Sequence, residues 1–233
     1  MVKRVLKVLV IILFSLSCII CFGGCDINNE PKKTIEDKIR EEISYIEKEI
    51  LTFFSMYAKN EYGKIDSLNW NLIEENVIQL NSVLDTLILD MSETDISNES
   101  IIDFKNGVNR LSIATFNKDI NETLKEYRNL YSLIPIYAEK VYGNKNEVKL
   151  LELKFLLISS FVYANVVDWT LAKDSINSAE TLYKEMMDDV EYMKEYSYNL
   201  NKVFVLLSEL KEAIGIEEIE LTKIKYVNII EKI

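Results

Sequence analysis

The side chains able to do chemistry are spread unevenly along this chain. All three cysteines, Cys18, Cys21 and Cys25, lie close together near the N-terminus, and there is no histidine. Without imidazole the commonest general base is missing, and with it the Ser-His-Asp and Cys-His nucleophiles and histidine-based zinc sites. Beyond Cys25 there is no thiol either, which excludes a disulfide framework, a thiol nucleophile and a cysteine metal site from the rest of the chain. The glycines at 63, 107, 143 and 215 are isolated and form no phosphate loop. No segment matches a calcium-binding EF-hand loop.

Carboxylates remain. The densest group is Glu185, Asp188, Asp189, Glu191 and Glu195. Spacings of three and four would bring the first three together on a helix, but such acids usually form a solvated face, so no metal and no cofactor are expected. Trp70 and Trp169 could make an aromatic ligand clamp; each is better read as an interaction or packing anchor at a helix start. Tyr192, Tyr196 and Tyr198 suit either an interface or the edge of a helical core.

Residues 1–25 read MVKRVLKVLVIILFSLSCIICFGGC: a basic start, an uncharged apolar run from Val8 to Phe22, two small residues and a cysteine. This is the plan of a secretory signal peptide. As a helix the run would reach about 22 Å, short of a hydrocarbon core of roughly 30 Å.

The segment Phe22-Gly23-Gly24-Cys25 resembles the lipobox of bacterial lipoproteins. The resemblance implies that the Cys25 thiol receives a diacylglyceryl group and that a signal peptidase cuts before it. Gly23 and Gly24 supply the small residues; Phe22 departs from the aliphatic residue, usually Leu, that the family prefers. Two acyl chains suffice for stable anchoring where one does not. The reading is thus a signal peptide over 1–24, a lipid-anchored polar tether over 25–33 holding Pro31, and one helical domain over 34–233. It places that domain on the outer face of the cell membrane, with a Gram-positive type of envelope implied.

After the first 24 residues the chain carries 24 basic and 38 acidic residues, a net of −14. That charge repels phosphate backbones and anionic lipid headgroups, so no nucleic-acid partner is expected. The chain has 48% hydrophobic residues, two prolines and six glycines. Sheets and their turns consume Gly and Pro, so the domain is predicted to be all-α.

Apolar spacing divides it. Ile35, Ile39, Ile43, Ile46, Ile50, Phe53 and Tyr57 mark a first helix capped by Thr34. Asn69 caps a second from Trp70 to Met91. The run from Ser92 to Ser100 starts a third, reaching Thr115. Asn117 or Asp119 caps a fourth towards Val141, which Pro135 should break near Leu133 before Gly143 and Asn144 end it. Residues 147–167 are apolar on nearly every side and predict a central helix, with Asn165 as its left-handed terminus. Asp168 caps a helix over 169–194, and two more are expected over 198–213 and 216–232.

Asn69-Trp70 is echoed by Asp168-Trp169, and a third copy is placed at Asn117, giving uneven spacings of 47 and 52 residues between helix starts. Around Trp169, Ala172, Ile176 and Ala179 resemble the second helix of a tetratricopeptide hairpin over about 12 residues, although the flanking helices exceed that family's unit. The expected architecture is therefore a set of antiparallel hairpins packed as an up-and-down bundle or a short tetratricopeptide-like array, preceded by a signal helix.

The function expected is a non-catalytic protein-interaction module, held at the membrane by its lipid and engaging other envelope proteins. One alternative is a carrier of a small apolar ligand or lipid within the helical core, lined by residues 150–167. An enzyme using paired carboxylates is the third reading.

Overall fold

The computed structural model describes residues 33–60, 68–94 and 96–233, with 190–201 described by their backbone alone. Contacts divide the chain into Met1–Thr34 and Ile35–Ile233, and every helix described belongs to the latter. Cys25 and the expected signal helix and tether lie outside the described residues, apart from Lys33 at the tether's end.

Helix α1 (Ile35–Lys59) buries Ile39, Ile43, Ile46, Ile50, Phe53 and Phe54, one stripe at three- and four-residue steps. Helix α2 (Trp70–Met91) starts where Asn69 accepts a hydrogen bond from the Leu72 amide. Ser97 does the same for α3 (Asn98–Phe116), and Asp119 for α4 (Ile120–Tyr131). The break before α5 (Leu133–Val141) falls at Ser132. Pro135 has no N–H to give the Tyr131 carbonyl four residues back, and its ring crowds that oxygen.

Helix α6 (Lys145–Asn165) begins two residues earlier than its apolar pattern suggests. Asn144 accepts a hydrogen bond from the Asn146 amide at 2.9 Å, so it opens this helix rather than closing the one before. Helix α7 (Trp169–Asp188) ends sooner than expected, at an extended Asp189, and α8 (Val190–Gly215) takes up the residues in between. Helix α9 (Ile219–Ile230) completes the chain. Among the described residues there is no strand, and no helix is long and apolar enough to cross a membrane.

Three corners share one construction. Lys118, Val167 and Glu217 adopt left-handed backbone at φ 55, 62 and 60°. The next residue's N–H reaches five residues back: Asp119 to Ala114, Asp168 to Tyr163, Glu218 to Ala213. This is the Schellman closure, and the residue that completes it opens the following helix. Asn165 is therefore not the left-handed residue. It is the last residue of α6, its amide donating to the Phe161 carbonyl at 2.8 Å.

With Asn69, these caps (Asn69, Asp119, Asp168, Glu218) recur about 50 residues apart. The copy placed at Asn117 in the sequence is thus corrected to Asp119, which evens the spacing, and a fourth appears at Glu218. Burial follows the same register. Four, eight and eleven residues after each cap stand Ile73, Val77 and Leu80; Thr123, Tyr127 and Leu130; Ala172, Ile176 and Ala179; and Thr222, Tyr226 and Ile229, all buried.

Successive helices pack on one another, and among the further contacts α1 lies on α9 and α6 lies on α4 and on α9. The first helix of each half (α1–α5 and α6–α9) thus packs on a cap-opened helix of the other. A matching ring pair stacks within each half beside the join, Phe53 on Tyr127 at 3.8 Å and Phe161 on Tyr226 at 4.1 Å. Phe54 meets Tyr127, Phe161 and Tyr226 edge-on. Each fully buried ring contributes about 2–3 kcal/mol of transfer free energy, so this seam is a main source of cohesion. Helix α6 is the central helix expected, touching α4, α5, α7, α8 and α9.

Candidate functional site

Helices α2 and α3 form an antiparallel pair joined by a hydrogen bond from the Asn81 amide to Ser112 Oγ. Both turn a buried face to the same core: Ile73, Val77, Leu80, Leu84, Leu87 and Met91 from α2, and Ile101, Phe104, Val108 and Leu111 from α3. On the opposite side stand Ile78, Leu89, Ile102, Ile113 and Phe116, exposed by 66, 67, 56, 62 and 82%. At roughly 200 Å² for a whole large side chain they leave about 650 Å² of apolar-residue surface in water. About 420 Å² of it belongs to Ile78, Ile113 and Phe116, within the range of the largest patch on a typical monomer, about 300–600 Å².

The five residues are arranged, not scattered. Ile78 and Leu89 lie three helical turns apart, about 16 Å, and so do Ile102 and Ile113. The Asn81–Ser112 bond sets the alignment, bringing Ile78 level with Ile113 and Phe116, and Leu89 level with Ile102. Two apolar ends result, separated by exposed Ser82, Asp85, Asn106 and Asn109. Helix α2 carries Glu74, Glu75, Asp85 and Asp90 and no basic residue.

The chain supplies its own control. Counted from the caps, α7 and α8 stand where α2 and α3 stand. There Ile78 is matched by Asn177, Leu89 by Asp188, Ile113 by Glu212 and Phe116 by Gly215, all exposed. The pattern reverses at three positions, where Phe204, Val205 and Ile216 stand exposed in the places of Lys105, Asn106 and Asn117. The same helical frame is thus built with polar residues at these positions, so the fold itself does not require the apolar ones.

Buried polar groups elsewhere join helices. Glu49 accepts from Asn76 Nδ2 at 2.6 Å, and Asn76 Oδ1 accepts from the Tyr127 hydroxyl at 2.6 Å, tying α1, α2 and α4. Glu47 accepts from the Tyr131 hydroxyl at 3.1 Å and from Lys154 Nζ at 2.9 Å, linking α1 to α4 and α6. Burial raises the pKa of both tyrosines, with the nearby glutamates adding to it. The Arg128 guanidinium lies 5.0 and 4.8 Å from the Phe155 and Tyr163 rings while Nε donates to Ser159 Oγ.

Glu42 differs. One of its oxygens, Oε2, is buried without a hydrogen-bond partner. Desolvation, then the neighbouring Asp90, pushes its pKa up to about 7.

Of the residues singled out in the sequence, Trp70 and Trp169 occupy equivalent places at the starts of α2 and α7, each partly buried against the core. Glu185, Asp188 and Asp189 lie at the end of α7; the side chains of Glu191 and Glu195 are outside the described residues. Among the described residues no group of three or more acids converges as a metal site. The grooves are surface features: one of about 320 Å³ is lined by Ala58, Lys59, Glu220, Lys223, Ile224 and Val227, and one of about 340 Å³ runs beside Glu47 and Lys154.

No family model matches the chain, and no curated protein or solved structure matches it either.

Proposed function

We propose that the chain is a non-catalytic interaction module, tethered through lipidated Cys25 to the outer face of a cell membrane, which binds another envelope protein through the outer face of α2 and α3. The observation that carries this is the apolar face itself, set against Asn177, Asp188 and Glu212 at matching positions of α7 and α8. Exposing Ile78, Leu89, Ile102, Ile113 and Phe116 to water has a cost that packing does not offset. Binding does offset it.

The arrangement favoured is a closed bundle of hairpins rather than an open tetratricopeptide-like array, because an open array has no contact comparable to α1 on α9. Interaction then uses an outer helical face instead of a concave channel. The apolar-carrier reading is less well supported: Phe53, Phe54, Phe161 and Tyr226 fill the space between α1, α6 and α9.

Crosslinking in intact cells, read by mass spectrometry, tests the function. A reproducible neighbour should be recovered with wild-type chain and lost with Ile113→Ser/Phe116→Ser at equal abundance. Recovery unaffected by that variant would refute the assignment to this face. The anchor is tested separately by intact mass, which should show an acylated chain starting at Cys25. A Cys25→Ala chain still processed and membrane-bound would refute the tether.

A further inference from the structure

We infer that the partner of the α2–α3 face is a basic amphipathic helix whose apolar anchors lie about three turns apart. The inference rests on the reading of this face as an interaction surface and adds the chemistry of what it takes.

Geometry gives the shape. Two antiparallel helices side by side present a shallow groove between them, and a helix laid along it is a common mode of recognition. The apolar ends, Ile78 with Ile113 and Phe116, and Leu89 with Ile102, lie about 16 Å apart. A partner helix reaches both only with apolar residues about eleven positions apart, each supported by a neighbour at i+3 or i+4. Between the ends it meets Ser82, Asp85, Asn106 and Asn109, which favours polar residues there.

Charge gives the sign. Glu74, Glu75 and Asp85 on α2 face no basic residue of their own helix, while Asp90 is turned to Lys38 of α1 at 4.0 Å; on α3 Glu99 and Asp103 balance Lys105 and Arg110. Arg110 is itself turned to Glu126 at 3.0 Å. The pair of helices is therefore net acidic, within a chain of net charge −11. A second copy docked here would set acid against acid, and an anionic lipid surface is repelled in the same way. Lysine and arginine flanking the partner's apolar anchors complement the face.

Three synthetic helical peptides of about 18 residues test this against the full chain in phosphatidylcholine nanodiscs, with empty discs subtracted. The first has paired leucines eleven residues apart on a lysine background. The second replaces every lysine by glutamate. The third keeps the lysines and moves the leucine pairs to seven residues apart. Fluorescence anisotropy should give roughly micromolar binding for the first and at least tenfold weaker binding for the other two. Ile113→Ser/Phe116→Ser should weaken the first peptide at least tenfold and Asp85→Lys at least threefold. Ile224→Ser, an exposed residue of α9, should change nothing.

Equal binding of the lysine and glutamate peptides, or binding indifferent to Ile113→Ser/Phe116→Ser, overturns the inference. So does a concentration-dependent dimer in sedimentation that Ile113→Ser/Phe116→Ser abolishes, because the occupant is then a second copy. A Cys25→Ala chain that floats with vesicles through this face overturns it in favour of lipid. Failure of the partner's chemistry is distinct from failure of the function: an acidic or neutral neighbour crosslinked through Ile113 and Phe116 removes the former and keeps the latter.

Discussion

Glu42 lies beside the buried stripe of α1, next to Ile43, with Asp90, Lys38 and Glu41 as its charged neighbours. Its pKa is raised from 4.5 to about 7, first by desolvation and then by Asp90, while Lys38 acts in the opposite sense. A carboxyl held above its unfolded value binds its proton more tightly in the folded state. Its contribution is therefore fully present below pH 4.5 and is lost as the pH rises through about 7. Glu42→Gln, which keeps the shape and removes the titration, should raise Tm at pH 8 and leave it nearly unchanged at pH 4. The gain should be about 2–4 °C for each kcal/mol relieved. Thermal unfolding at the two pH values checks this, and an equal shift at both would show that the charge is not the cause. Nothing in the sequence marks Glu42, because helical periodicity says which residues face the core but not how deeply the edge of the stripe is covered. The exposed apolar face was hidden for a related reason. Ile78 and Ile113 are ordinary apolar letters until the core-facing sides of α2 and α3 are known.

The recurring corner shows what local chemistry can and cannot reveal about an element. Caps were legible: Asn69, Asp119 and Asp168 have side chains that accept from the first turn, and Pro135 marks its break within a residue. The left-handed positions were not. Glycine or asparagine is the usual occupant, which points to Asn165, yet Lys118, Val167 and Glu217 take the role. The hydrogen bonds from Asp119, Asp168 and Glu218 and the helices on either side impose the conformation despite side chains that resist it. Val167 resists most, since a β-branched residue at φ 62° crowds its own backbone. Val167→Gly should stabilise the chain by about 1 kcal/mol, the relief of a left-handed penalty of roughly 1–2 kcal/mol less the entropy glycine adds to the unfolded state. Asp168→Ala, which removes the bond to the Leu171 amide, should cost about 1 kcal/mol. Urea unfolding of both variants separates the terms. A destabilising Val167→Gly would mean that the exposed Val167 side chain contributes more than its backbone strain.

At the scale of the whole molecule, the two halves interlock. Each lends its first helix to the other, α1 to α9 and α6 to α4, and the stacked pairs Phe53–Tyr127 and Phe161–Tyr226 are closed over by rings and helices from the other side. A half on its own would lose the contact between Phe54 and Phe161, whose rings meet edge-on at 6.2 Å from opposite sides of the join. Cooperativity should therefore extend across the join, with one unfolding transition for residues 35–233. The link between the halves at Gly143 is open, with nothing near enough to meet an added side chain, so a cut there need not disturb packing. Residues 1–143 and 144–233 produced together should copurify in equal amounts and melt in a single step. Produced apart, each should bind hydrophobic dyes and unfold without a sharp transition. Phe161→Ala should then weaken the reassembled pair by about 3–5 kcal/mol, since the lost ring leaves a cavity that Phe54 and Tyr226 cannot both close. A half that melts sharply alone, or an assembly indifferent to Phe161→Ala, would show two independent bundles that merely touch. The apolar face of α2 and α3 lies wholly within the first half. Binding through it should return only when the second half is present, because α4 and α1, which support α2 and α3 from beneath, are held in place by α6 and α9.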